Sequence, residues 1–144
     1  MTTAKKCLAV FASLLYLVLV SATSQAHESK EVAGLNVLFG AESWSGSTLT
    51  QEMEWLRWRF SVADEPFADI EDAVAVIKKD GQELGPYEPR PAYNDVGMIQ
   101  SRHIFTVAGE YDAVLTFKKK GDPEQHTITF TFLVNDRQDL LFPD

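Results

Sequence analysis

MEWLRWRFSV (residues 53–62) is the stretch that decides the fold. Leu56, Trp58, Phe60 and Val62 fall at every second position, with Met53, Trp55, Arg57, Arg59 and Ser61 between them. An amphipathic helix would repeat its apolar residues roughly every 3.6 positions, so a period of two identifies a strand with one buried face. The same alternation recurs downstream. In YDAVLTF (111–117), Tyr111, Ala113, Leu115 and Phe117 share one face; in HTITFTFLV (126–134), His126, Ile128, Phe130, Phe132 and Val134 do. GLNVLFG (34–40), AVAVIKK (73–79) and RHIFTV (102–107) read as shorter strands, and Asp80–Gly81 as a hairpin turn. GPYEPRPAYNDVG (85–97) carries Pro86, Pro89 and Pro91, which lack ladder donors, so it is expected to be an extended loop and not a central strand. After Ala26 no segment shows a helical stripe. The expected fold is all-β: an immunoglobulin-like antiparallel β-sandwich of about seven strands over residues 35–135, with a flexible lead-in at 27–34 and a C-terminal tail at 136–144.

The segment FTVAGEYDAVLTF (105–117) has a reading of its own. A strand ends, the chain turns through Gly109, and Tyr111 opens the next strand. In sandwiches of this type a tyrosine so placed can hydrogen-bond back to the upstream backbone and pin the corner between the sheets.

The segment from Met1 to Ala26 reads as a targeting segment. Lys5 and Lys6 precede Cys7 to Val20, an apolar run without charge. That run is shorter than the roughly 20 residues that span a bilayer. Ser24 and Ala26 suit a signal peptidase, as Val20 and Ala22 also do. The expectation is a cleaved signal helix over 1–26 and a periplasmic or secreted mature chain, in contact with membrane only through the uncleaved segment. Such a chain would have 11 basic and 21 acidic residues and no cysteine. That charge disfavours nucleic acid and anionic lipid as general partners, and the missing cysteine removes a thiol nucleophile.

FTVAGEYDAVLTF followed by HTITFTFLV resembles the end of small exported bacterial immunoglobulin-like domains, the YtkA-like and FixH-like group, and FSVAD with DAVAVIKKDG is similar to their central strands. The resemblance spans residues 50–134. It implies a sandwich fold and, loosely, a place beside copper handling and oxidase assembly.

Histidine is the residue type that bears on that implication. If residues 35–39, 53–62, 73–79, 102–107, 111–117 and 126–134 alternate in direction, His103 and His126 open strands at the same end, His27 precedes the first strand, and Met98 enters the fourth. His27, His103, His126 and Met98 would then gather at one pole as a candidate copper site of imidazole nitrogens and a thioether. The arrangement is similar to that of CopC-like periplasmic copper carriers. The bland alternative is three unrelated surface histidines.

Trp58 shares parity with the core residues. Trp55 falls on the opposite face with Arg57 and Arg59, a combination suited to an acidic partner or a sugar ring, or to arginines covering the sheet. The acidic run Asp64, Glu65, Asp69, Glu71 and Asp72 lacks a calcium-loop pattern, and the lysines at 78–79 and 118–120 suit strand ends that resist aggregation. No nucleophile, phosphate-loop or zinc-protease motif is present, so no enzymatic activity is expected. The sequence thus reads as an exported, non-catalytic binding or accessory module for a cell-envelope protein or small ligand. A copper-binding carrier and a carbohydrate-surface module (requiring Trp44 and Trp55 on one platform) are the alternatives.

Overall fold

A computed structural model describes residues 27–42 and 47–138. The expected signal segment, Trp44 and the tail beyond Gln138 lie outside the described residues. Two antiparallel sheets form a sandwich. The first follows the order β1 (His27–Val32), β2 (Leu35–Glu42), β3 (Met53–Val62), β8 (Met98–Ile104) and β7 (Arg90–Pro91), with the two-residue β4 (Glu65–Pro66) also on β3. The second follows β10 (Gln125–Val134), β9 (Gly109–Lys119), β5 (Ile70–Lys79) and β6 (Gln82–Tyr87).

The alternation in β3, β9 and β10 builds the core between the sheets. Leu56, Trp58, Phe60, Ala113, Leu115, Phe117 and Phe130 are fully buried, and Phe39 stacks on Phe130 with ring centres 5.0 Å apart. Val62, expected on this face, is 44 % exposed because it lies at the strand end, past the facing sheet. Asp80–Gly81 turns β5 into β6. The proline-rich stretch contributes the end of β6 and all of β7, and both strands lie at sheet edges, where a missing donor costs little.

Two segments depart from the sequence reading. Residues 27–34 are not a flexible lead-in: His27–Val32 is a strand paired antiparallel with β2, from His27 opposite Gly40 to Val32 opposite Leu35. A tight turn through Ala33 (φ 53°) and Gly34 (φ 74°) joins them. Val32 is the strand's only apolar residue and alanine rarely takes positive φ, so neither usual signal of a hairpin was present. The strand expected at 102–107 runs instead from Met98 to Ile104.

At the corner the Tyr111 hydroxyl donates to the Val107 carbonyl at 2.7 Å. Burial raises the pKa of that hydroxyl, with nearby Lys79 opposing and Asp80 adding to the shift. Gly109 opens β9 at φ 128°, a backbone conformation that calls for glycine; the nearest atom to a β-carbon there would be the movable Lys79 Nζ.

Candidate functional site

The outer face of the first sheet is set by β3. With Leu56, Trp58 and Phe60 turned inward, Trp55, Arg57 and Arg59 turn out. Residues directly paired across a ladder share a face. On β8, Arg102 stands opposite Trp55 and Gln100 opposite Arg57; on β7, Arg90 stands opposite Gln100. Four of the chain's five arginines therefore share one sheet face of a molecule with a formal charge of −8.

Two of the four lie over Trp55. The guanidinium carbons of Arg57 and Arg102 lie 5.6 and 5.3 Å from its ring centre. Stacking of this kind fixes the plane of a guanidinium, whose N–H edge is the part that pairs with carboxylates and phosphates. Arg59, further along β3, is held instead by a carboxylate: its Nη2 donates to Asp95 Oδ2 at 2.7 Å. Gly40 lies between His27 and Arg57 in the ladder, and its missing side chain leaves a depression of about 260 Å³ bordered by His27, Arg57, Arg59, Asp95 and Met98. A sugar ring stacking on Trp55 would have to share the indole with two guanidinium groups, which weakens the carbohydrate reading.

The four expected metal ligands do not converge. His27 and Met98 border the same depression. His103 faces inward at 9 % exposure, its ring edge-on to Tyr87 at 4.6 Å and stacked on Phe105 at 5.9 Å. Its Nε2 is 2.7 Å from the Ser101 hydroxyl, and burial lowers its pKa to about 4, so it is neutral at physiological pH. His126 lies on the other sheet against Phe117, with ring centres 5.7 Å apart. Phe105 packs on Tyr111, which precedes Phe117 by six residues on β9, placing His103 and His126 about 20 Å apart along the sandwich. The expectation fails for two reasons. β8 begins at Met98, which carries His103 toward its far end, and His27 sits in a paired strand that runs opposite to β2.

Several residues that sequence reasoning missed bear on these sites. Arg90 and Arg102 join the face through register, which one strand's parity does not reveal. Glu54 is fully buried and pairs with His103 across β3 and β8. Its Oε1 accepts the Leu49 amide at 2.8 Å, while Oε2 has no hydrogen-bond partner. Burial raises its pKa; the Leu49 bond opposes the shift and the charge of Glu52 adds to it. Glu54 shares the parity of Leu56 and Trp58, a signal that was legible in the sequence. Asp122 and Glu124 precede His126 on the β9–β10 hairpin, and one ligand atom from each of the three lies within 4.8 Å of the others.

No family model matches the chain, and no curated protein is significantly similar to it in sequence. Among solved structures, a DUF4426 family protein from Pseudomonas aeruginosa PAO1 is similar at a TM-score of 0.57 and 14 % identity, over 81 % of this chain and 98 % of that one. At that identity the likeness concerns the fold alone, an all-β sandwich.

Proposed function

We propose that this chain is an exported, non-catalytic binding module of a bacterial cell envelope, engaging an acidic protein or ligand through the outer face of the first sheet. The observation that carries the reading is the placing of Arg57, Arg59, Arg90 and Arg102 on one sheet face, two of them, Arg57 and Arg102, over the Trp55 ring, on an otherwise acidic molecule. Arginines stacked on an aromatic ring are costly to arrange for solubility alone and well suited to bidentate recognition of carboxylates. The signal-like segment Met1 to Ala26 and the resemblance of the region 50–134 to YtkA-like and FixH-like domains support the exported, accessory character.

The reading is tested with a fluorescent glutamate-rich peptide and a neutral peptide of the same length. The expected result is salt-sensitive binding of the acidic peptide that Arg57→Glu with Arg102→Glu abolishes, while Lys78→Glu with Lys118→Glu, on the second sheet, preserves it. Equal binding of both peptides, or equal loss in both double variants, contradicts the proposal.

A further inference from the structure

We propose that the β9–β10 hairpin binds a divalent transition-metal ion, Zn²⁺ in the first instance, through Asp122, Glu124 and His126. The inference is independent of the arginine face. The three residues stand at alternate positions in Asp-Pro-Glu-Gln-His and offer two carboxylate oxygens and one imidazole nitrogen within 4.8 Å of one another. Donors around a tetrahedral zinc lie about 3.3 Å apart, so modest side-chain movement would close the set. Imidazole with carboxylate suits Zn²⁺ and its neighbours in the first transition row better than Ca²⁺ or Mg²⁺.

The histidine supplies the second, separate observation. Its side chain is 11 % exposed, and its Nε2 is buried without a hydrogen-bond partner. The nearest carboxylate oxygen, Asp122 Oδ2, is 3.9 Å away, too far for a hydrogen bond. A buried ring nitrogen aimed at a carboxylate it does not reach is poorly explained as a plain ion pair, whereas an ion between them would satisfy both. Two neighbouring cations are engaged elsewhere: Lys118 pairs with Asp72 at 3.0 Å and Lys119 donates to the Ala33 carbonyl at 3.2 Å. The Glu124 carboxylate is exposed and can swing inward.

Zn²⁺ is titrated calorimetrically into the protein carrying His27→Ala, which removes the exposed histidine as a competing ligand. The expected result is one site of micromolar Kd, accompanied by a rise in Tm on Zn²⁺ addition. Glu124→Gln and Asp122→Asn should each weaken binding at least tenfold, and His126→Gln should abolish it. Glu124→Gln alters an exposed side chain and Asp122→Asn keeps the Oδ1 that accepts the Glu124 amide, so both remain informative if His126→Gln fails to fold. The absence of binding at millimolar Zn²⁺, or binding and a Tm rise that survive Glu124→Gln and Asp122→Asn, overturns the proposal.

Discussion

The two outer faces of the sandwich are made of different chemistry on the same backbone. On the second sheet, Thr127 stands opposite Thr116, Thr129 opposite Val114, and Thr131 opposite Asp112. Thr131 donates to Asp112 at 2.6 Å, and Lys78 pairs with Glu83 at 2.7 Å on the same side. Short β-branched side chains and local pairs satisfy that surface from within. The first sheet instead presents long cationic side chains, Arg57, Arg59, Arg90 and Arg102, two of them over the Trp55 ring. The contrast teaches that burial dictates the inward residues of both sheets alike, while the outward residues are free to record what each face meets.

Predictions that sharpen this contrast fall in order of size. On β3 itself, Trp58→Ala should cost about 3–5 kcal/mol in urea unfolding, whereas Trp55→Ala, three residues away on the outer face, should cost under about 1 kcal/mol. Equal losses would mean that Trp55 is a core residue and the outer face is not a free surface.

Next in size is a pH effect from inside the sandwich. His103 binds its proton with a pKa of about 4 when folded and near 6.5 when unfolded. Below about pH 6.5 the unfolded chain therefore takes up a proton the native state refuses, and stability falls as pH drops toward 4, by about 3 kcal/mol in full. Glu54 acts in the opposite sense. Its raised pKa gives stability that is present at acid pH and lost as pH rises. Denaturant melts at pH 7 and pH 4.5 should show a smaller acid loss in His103→Gln and a larger one in Glu54→Gln than in the parent chain.

Smaller again is the corner. Tyr111→Phe removes the bond to Val107 and should lower stability by about 1 kcal/mol with no effect on acidic-peptide binding. At the low end, Arg57→Ala and Arg102→Ala should each change stability by less than about 0.5 kcal/mol while weakening acidic-peptide binding; a large loss of stability would recast these arginines as structural cover for Trp55.

Much of this architecture was legible in the residues. Period-two patterning placed the inward sides of β9 and β10 and most of β3, because burial writes itself into every second position. The outward group Trp55, Arg57 and Arg59 was readable for the same reason. Arg90 and Arg102 were not, since membership of a face depends on which strands become neighbours and in what register. β1 was missed because its polar residues alternate without an apolar signal and its turn begins with alanine. The convergence of His27, His103, His126 and Met98 failed on a strand boundary: moving the start of β8 to Met98 sends His103 to the opposite end of the sandwich from His126.

The most direct test of an anion-receiving first sheet is an amide-resolved NMR titration of the protein with the glutamate-rich peptide at low salt. The account predicts shifts concentrated on β3, β8 and β7 around Trp55, Arg57, Gln100 and Arg102, reversed by added salt, with the amides of Thr116, Thr129 and Thr131 unmoved. Shifts centred on the second sheet, or none at all, would contradict it.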